Sequence, residues 1–325
     1  MKWVIKLKKI YILFFFIILL FNISACDKKT DLDNENIDNK NIEDENVNNN
    51  ENIKNNILTN NQGDILIEFE NEYYLPIVGV LNSKEDFKME LHKLIEQSHT
   101  KHLTYKECWT ALETVDEDPN NSNNVLCIYS GLSMPKNNHV GSAGSYGQWN
   151  REHLFPQSRG FKNDSAVAHN DIFHLRVTEY TANLGRKDTD FGEGNAYFEP
   201  KDDVKGDIAR ALLYMAVRYN EDDYSSYTYN GKTYTDSDDL DLELVRRQSG
   251  TLQQSTGEYV FGNLEYLIKW NYIDPVSDIE KKRNDAVFSI QGNRNPFIDY
   301  NEIVAFLYPE YAKEYVDISK ISYLL

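Results

Sequence analysis

A carboxylate and an imidazole stand side by side at Glu152 and His153, within residues 147–158. A carboxylate can hold a divalent cation, and a neutral imidazole can take a proton from water near pH 7. Because neighbouring side chains usually point apart, the pair requires a bend or the end of a strand. The same dipeptide also fits an ordinary surface position, so the pair alone does not decide a function.

A second group of candidate side chains follows at Asn183 and Arg186. If residues 171–186 form a helix, these two lie three positions apart on one face. Oxygen atoms of Glu152 and Asn183 would then suit a hard cation such as Mg²⁺, or Ca²⁺ or Mn²⁺. His153 would act as the base, and the planar guanidinium of Arg186 would hold a phosphate through two bonds. The set predicts metal-assisted phosphodiester hydrolysis.

Basic side chains are frequent near these motifs, and Arg151, Arg159 and Arg176 are candidate substrate contacts. Solvated surface is the alternative for each of them taken singly. The formal net charge of the chain is −18. That charge argues against a protein that coats nucleic acid nonspecifically, but a nuclease needs only a local cationic groove.

The N-terminal residues predict export. Residues 1–25 combine a lysine-rich start with a short apolar run, as in a signal peptide, and the run ends on a lipobox-like sequence at Cys26. Lipidation of Cys26 would anchor the chain at the outer face of the cytoplasmic membrane or on the cell surface. An ordinary secretory peptide and an uncleaved anchor are the alternatives. Residues 26–60 are acidic and asparagine-rich, which predicts a disordered tether.

The remaining chain predicts one folded domain over residues 82–320, preceded by a linker or packing segment at 61–81. Apolar periodicity and turn residues predict the elements. They are helices at 87–97, 104–114, 171–183, 206–219, 263–270 and 279–291, a strand at 125–129, and a hairpin around 229–232. Thr104 and Asp207 are the expected helix caps. Cys108 and Cys127 could form a disulfide outside the cell, although separate thiols are slightly favoured.

Longer stretches of the chain resemble one known family. Residues 150–158, which contain Glu152 and His153, resemble the active-site segment of the endonuclease I family of bacterial secreted nucleases. Residues 171–175 and 183–186 are similar to a second motif of that family, and parts of residues 198–219 and 270–299 to its helical half. The resemblance covers roughly residues 88–310.

The resemblance implies an α+β, mostly helical fold, with a ββα-metal (His-Me finger) active-site motif within a single helical domain. It implies that Glu152 and Asn183 bind the metal, that His153 activates water and that Arg186 contacts the phosphate. The expected reaction is cleavage of DNA with little sequence preference, leaving 5′-phosphate and 3′-hydroxyl ends, and RNA stays open as a further substrate. Val177 stands where many members of the family have proline, which is a departure from the family pattern.

Two other functions compete with this interpretation. A catalytically inactive surface lipoprotein could bind nucleic acid or another partner, but such a protein would be expected to have lost a site residue. A zinc hydrolase would need a His-Glu-x-x-His helix or clustered histidines, which the sequence lacks. The sequence implies no obligate protein partner.

Overall fold

The structure is a computed structural model. It describes residues 57–59, 65–67, 71–77, 79–81, 83–141, 144–219, 226–229, 232–235, 242–245 and 260–317. The signal peptide predicted at 1–25, the lipidation at Cys26 and most of the predicted tether lie outside these residues. Among the described residues, no helix has the length and apolar character needed to span a bilayer.

Helices occur throughout the described chain. They are α1 Lys84–Ser98, α2 Glu107–Val115, α3 Val167–Asn170, α4 Tyr180–Arg186, α5 Lys205–Arg218, α6 Leu264–Ile273, α7 Asp278–Gln291, α8 Pro296–Asp299, α9 Ile303–Leu307 and α10 Pro309–Ala312. Short 3₁₀ helices lie at Glu72–Ile77, Gln157–Arg159 and Asp202–Val204.

The strands are short and form small separate sheets. They are β1 Ile57–Thr59, β2 Ile65–Ile67, β3 Gly79–Leu81, β4 Glu117–Asp118, β5 Asn121–Leu126, β6 Ser133–Pro135, β7 Trp149–His153, β8 Leu175–Glu179, β9 Ser226–Tyr229, β10 Lys232–Thr235, β11 Glu243–Val245 and β12 Val260–Gly262. The sheets have the orders β1-β2-β3, β4-β5-β6, β7-β8, β10-β9 and β11-β12. The fold is therefore a mixture of helix and sheet, consistent with the α+β class.

Two of the predicted helices organise the core. The α1 helix begins after Ser83, whose Oγ accepts a hydrogen bond from the Asp86 amide, and it buries Phe87 and Leu91. The α5 helix is buried along its whole apolar stripe and packs against α1 and α6. The cap expected at Asp207 is wrong, because α5 starts at Lys205 directly after a 3₁₀ turn and Asp207 lies in its first turn.

The ends of α2 and α7 follow local side-chain chemistry. Thr104 and Glu107 exchange hydrogen bonds, since the Thr104 Oγ1 accepts from the Glu107 amide and the Glu107 carboxylate accepts from the Thr104 amide. Ser277 caps α7 by accepting from the Glu280 amide. Gly292 ends the same helix with φ of 91°, a left-handed conformation that favours glycine.

The helix predicted over residues 171–183 is wrong. These residues instead form a turn, then strand β8, and then the first residues of α4. Leu175 and Val177 of β8 are buried, and so are Arg176 and Thr178, which alternate with them. This apolar and polar alternation is only four residues long, and the pairing with β7 decides the conformation.

The strand predicted at 125–129 also ends earlier than expected. Strand β5 ends at Leu126, and the chain turns at residues 127–131, where the Gly131 amide donates to the Cys127 carbonyl. The Ile128 amide donates to the Val177 carbonyl at 2.8 Å, which ties this turn to β8. The turn therefore places Tyr129 beside the β7–β8 pair rather than inside its own sheet.

The structure also describes the two cysteines, the predicted hairpin and the segments before residue 82. Cys108 and Cys127 are free buried thiols, as the sequence slightly favoured. Strands β9 and β10 pair with Tyr229 opposite Lys232, which confirms the predicted hairpin, although residues 230–231 lie outside the described chain. In the 61–81 segment Tyr74 and Ile77 are buried in the core. Ile57–Thr59, assigned to the end of the tether, form β1.

Candidate active site

Strands β7 and β8 and helix α4 supply most of the predicted site residues. The strands are antiparallel, with Glu152 opposite Arg176 and His153 opposite Leu175. Helix α4 follows β8 without a loop and carries Asn183 and Arg186. Because the hairpin turns the chain back on itself, residues far apart in sequence reach one groove. The groove is lined by Tyr105, Asn150, Arg151, Glu152, His153, Pro156, Gln157, Asn183, Arg186, Lys187 and Asp188.

Glu152 is a buried carboxylate held at one of its two oxygens. Its Oε1 accepts hydrogen bonds from the hydroxyl of Tyr129 at 2.6 Å and from Nη1 of Arg186 at 2.8 Å. Burial raises the pKa of this carboxyl, and the positive charge of Arg186 and the Tyr129 hydroxyl oppose that rise. Among the described residues, no hydrogen bond reaches Oε2, so this oxygen is available for a ligand.

Asn183 presents a defined atom to the same groove. Its Nδ2 donates to the backbone carbonyl of Arg151 at 3.0 Å. A carbonyl oxygen can only accept, so this bond fixes which end of the amide is nitrogen. The amide oxygen Oδ1 takes part in no hydrogen bond within the described chain. Glu152 and Asn183 therefore offer one carboxylate oxygen and one amide oxygen to a common space.

His153 is oriented by its backbone surroundings. Its Nε2 lies 3.0 Å from the carbonyl oxygen of His169 and must therefore be the protonated nitrogen. The other ring nitrogen, Nδ1, keeps its lone pair. Burial lowers the pKa of His153 well below its usual value, with His174 and His169 adding to the effect. The ring thus presents Nδ1 as a hydrogen-bond acceptor beside the groove.

Arg186 is enclosed by protein acceptors. Its side chain is 1% exposed, and Nη1 donates to Glu152 and to the His153 carbonyl, both at 2.8 Å. Nη2 donates to the Leu154 carbonyl at 2.7 Å, and Nε donates to the Thr189 carbonyl. This geometry supports a role in holding Glu152. The phosphate contact predicted for Arg186 stays a prediction.

Arg151 faces the groove more openly. Its guanidinium carbon lies 3.3 Å from the ring centre of Tyr105 and 3.9 Å from that of Trp109. Nη1 donates to the Tyr105 carbonyl. Contact with two aromatic rings restricts the guanidinium to one position without neutralising its charge. Arg151 thus brings a fixed positive charge to the groove.

The other two arginines suggested as substrate contacts lie elsewhere. Arg159 is buried and donates to Asp190 at 3.0 Å. Arg176 is buried and donates to Asp116 at 3.1 Å. Neither side chain lines the groove. Their buried pairing with aspartate supports a structural role for both.

The family model for endonuclease I matches residues 83–197 and 193–302. The chain belongs to the endonuclease I family. It is 38% identical over 240 residues to an extracellular ribonuclease of Bacillus subtilis (strain 168), covering 69% of this chain and 75% of that protein. It is 39% identical over 245 residues to an extracellular ribonuclease of Bacillus amyloliquefaciens, covering 71% and 75%. The chain is therefore a nuclease, an enzyme that hydrolyses nucleic acids.

Sequence reasoning missed several residues of this endonuclease I site. Tyr129 gave no signal, because it lay at the end of a predicted strand and only the turn after β5 brings it to Glu152. The carbonyl of His169 orients His153, a contact that its residue type does not indicate. The ring of His174 donates from Nε2 to the Ala168 carbonyl at 2.7 Å in the core. Backbone partners such as these cannot be found from residue types.

Proposed function

We propose that this nuclease is a metal-dependent endonuclease that cuts DNA and RNA with little sequence preference, leaving 5′-phosphate and 3′-hydroxyl ends. One observation carries the proposal. Glu152, Asn183 and His153 line one groove, and each has one atom fixed by a protein partner and another atom without a hydrogen-bond partner among the described residues. The name of the two Bacillus relatives supports RNA as a substrate.

The donor atoms of the groove fit a hard divalent cation. Oε2 of Glu152 and Oδ1 of Asn183 are both oxygens, which Mg²⁺, Ca²⁺ and Mn²⁺ prefer. Mg²⁺ commonly binds through one or two protein oxygens and keeps several waters, so this pair suffices. When bound, such a cation stabilises the negative charge that develops on the phosphate and on the departing oxygen. Mg²⁺ is the ion that we propose.

His153 supplies the base in this proposal. Its Nδ1 accepts a proton from the attacking water while Nε2 keeps its bond to the His169 carbonyl. Because the ring is neutral, it is ready to accept a proton without first losing one. Burial also holds the ring in one orientation, which limits the cost of positioning it.

Arg151 supplies the phosphate contact. Arg186 already donates to Glu152 and to three backbone carbonyls, so its guanidinium is largely occupied. Arg151 carries its charge into the groove between two aromatic rings. A planar guanidinium in a fixed position can donate two parallel bonds to a phosphate. Arg186 then acts by fixing the carboxylate that faces the cation.

We propose that strands β7 and β8 with helix α4 form a ββα-metal unit. The first of the two antiparallel strands carries Glu152 and His153, and the helix that follows the second strand carries Asn183. The extracellular relatives support export of this chain. We further propose that a lipid on Cys26 anchors the chain to the membrane. The Cys26→Ser variant should then be recovered outside the membrane fraction.

The central experiment incubates the purified chain with plasmid DNA and with RNA in Mg²⁺, with and without EDTA. Cutting that EDTA abolishes and added Mg²⁺ restores is the expected result. His153→Ala should lower the rate about 10²–10⁴-fold while nucleic acid still binds, and added imidazole should restore part of the rate. An unmodified chain that binds nucleic acid but cuts neither substrate in Mg²⁺, Ca²⁺ or Mn²⁺ would instead support an inactive binding lipoprotein.

A further inference from the structure

Tyr129 meets the candidate metal ligand from outside the groove. It is 6% exposed and is not among the residues that line the groove. Its hydroxyl donates to Oε1 of Glu152 at 2.6 Å, the oxygen that also accepts from Nη1 of Arg186 at 2.8 Å. Two donors from different parts of the chain therefore converge on a single carboxylate oxygen.

This convergence selects which oxygen stays free. A carboxylate with one oxygen held by two donors cannot rotate without breaking both bonds, so Oε2 keeps its direction. We propose that Tyr129 is a positioning residue that, together with Arg186, locks Glu152 with Oε2 toward the groove and thereby sets the affinity for the divalent cation. The inference rests on the proposed function, because it requires Glu152 to be a metal ligand.

The surroundings of Tyr129 make it suitable for this task. The turn that carries it is bonded to β8 through the Ile128 amide and the Val177 carbonyl. Its ring centre lies 4.7 Å from that of Phe198 and 6.2 Å from that of Phe191. A ring packed on aromatic neighbours and a tethered backbone leave the hydroxyl little freedom. The position of the hydroxyl is thus fixed by contacts with β8 and with two aromatic rings.

Tyr129 and Arg186 contribute differently to the orientation of the Glu152 carboxylate. The guanidinium of Arg186 brings a positive charge, which opposes a cation at the same carboxylate. The phenol is neutral, so it orients the carboxylate without that opposition. An ionised carboxylate oxygen only accepts, so the Tyr129 hydroxyl is the donor in this bond. Loss of this hydroxyl should therefore weaken the hold on Glu152 without adding or removing a formal charge.

The chain offers a matched control at Tyr74. This tyrosine is fully buried, and its hydroxyl donates to Oδ2 of Asp299 at 2.7 Å. Asp299 also accepts from Arg294, so the arrangement repeats the tyrosine, carboxylate and arginine of the candidate site. None of these three residues lines the groove. Tyr74→Phe therefore removes the same kind of bond from a place where no cation is proposed.

The test measures Mn²⁺ binding to the full chain without nucleic acid, from the free Mn²⁺ signal in electron paramagnetic resonance. Tyr129→Phe keeps the ring and its packing, and circular dichroism and thermal unfolding establish the folded fraction of each variant. Tyr129→Phe should raise the Kd for Mn²⁺ about tenfold, the lower end of the range for partners of metal ligands. Tyr74→Phe should lower the Tm by a similar amount as Tyr129→Phe and leave the Kd unchanged.

The outcomes separate the two proposals. A Kd for folded Tyr129→Phe within twofold of the unmodified chain would overturn the positioning role and leave the metal site intact. Equal increases in the Kd for Tyr129→Phe and Tyr74→Phe would also overturn it, because they would trace the effect to stability. An unmodified chain that binds no Mn²⁺ would overturn the metal-dependent function and this inference with it. In a Glu152→Gln background, Tyr129→Phe should cause no further loss of binding.

Discussion

At the residue scale, burial decides what each arginine near the groove can do. Arg186 and Arg176 are enclosed and donate to carboxylates and carbonyls of the protein. Arg151 lies between two aromatic rings, which satisfy its faces but leave donors for a ligand. Identical side chains therefore have different tasks, which follow from the partners that the fold supplies.

Replacing Arg151 with lysine should separate binding from chemistry. Lysine keeps the charge but cannot stack between Tyr105 and Trp109 or donate two parallel bonds. One lost charge-assisted hydrogen bond costs about 1.5–3 kcal/mol, so KM for a short RNA should rise about tenfold or more. The Kd for Mn²⁺ should stay unchanged. Steady-state kinetics and metal titration measure the two quantities.

Arg176→Lys is the matched control for Arg151→Lys. Its guanidinium is buried against Asp116 and does not line the groove. This variant should lose stability and keep KM. A KM that rises equally in both variants, or in neither, would contradict the assignment of the phosphate contact to Arg151.

At the element scale, a buried ion cluster joins the strand of the site to two helices. Asp116, directly after α2, accepts from the Val177 amide of β8 at 2.8 Å and from Nε of Arg283 in α7 at 2.6 Å. Arg283 also donates to the carbonyls of Ile172 and Leu175. Asp116 therefore fixes β8 against the helical part of the fold, and β8 in turn pairs with the strand that carries Glu152.

Asp116→Asn should be strongly destabilising. Burial alone would raise the pKa of Asp116, but Arg283 and Arg176 hold it below its usual value. Loss of the carboxylate charge leaves the buried guanidinium of Arg283 without its ion-pair partner and leaves Arg176 only the more distant Asp207, at 3.8 Å. Breaking a buried ion pair in this way costs about 3–5 kcal/mol of unfolding free energy. Urea unfolding followed by tryptophan fluorescence measures the change.

The neighbouring pair of Glu117 and Lys136 provides the comparison for Asp116→Asn. This pair is partly exposed. Glu117→Gln should change the free energy of unfolding by less than about 1 kcal/mol. Equal effects for the buried and the exposed carboxylate would show that the cluster at Asp116 does not hold β8.

The elements also show where prediction from the sequence succeeds. Helices α1 and α7 were predicted because each has an apolar stripe and a polar face, so the 3.6-residue period is visible. Strand β8 was predicted as helix because its alternation of apolar and polar residues spans only residues 175–178, and the pairing with β7 that makes it a strand is a tertiary contact. The candidate residues could be proposed from type and family resemblance. Their orienting partners are backbone carbonyls and a turn residue, Tyr129, which tertiary structure alone brings into place.

At the scale of the whole molecule, charge is distributed unevenly. The chain has a formal net charge of −18, while the groove is lined by three cations and two acids: Arg151, Arg186, Lys187, Glu152 and Asp188. The acidic total repels the nucleic acid backbone in general, and the groove attracts it locally. Affinity for substrate is therefore expected to depend on a few cations.

The stability of the molecule should fall on acidification through buried histidines. The rings of His99 and His102 pack edge to face with centres 4.7 Å apart. Burial, the nearby charge of Arg218 and, for His99, that of His102 lower their pKa values, while Asp171 opposes the shift. The pKa of His102 falls to about 4.

The sign of the effect follows from proton binding. The unfolded chain protonates His102 near its usual pKa of 6.5, whereas the folded chain does so only near pH 4. Between these values the unfolded chain binds more protons, so stability is full above about pH 6.5 and is lost as the pH falls towards 4. Each such histidine contributes a slope of about 1.4 kcal/mol per pH unit. The urea midpoint of unfolding should decrease as the pH falls from 7 to 4.5, and it should decrease less steeply in His102→Gln. The same pH dependence in the variant and in the unmodified chain would contradict a role for His102 in this loss of stability.

Backbone carbonyls of β7 and of the residue after it hold two side chains of the candidate active site. The Arg151 carbonyl holds Asn183, and the carbonyls of His153 and Leu154 hold Arg186. Main-chain oxygens are the same whatever side chain they accompany. Evolution or a protein engineer could therefore exchange Leu154 for another apolar residue without loosening these attachments. Many substitutions in the surrounding side chains should therefore leave the geometry of the candidate active site unchanged.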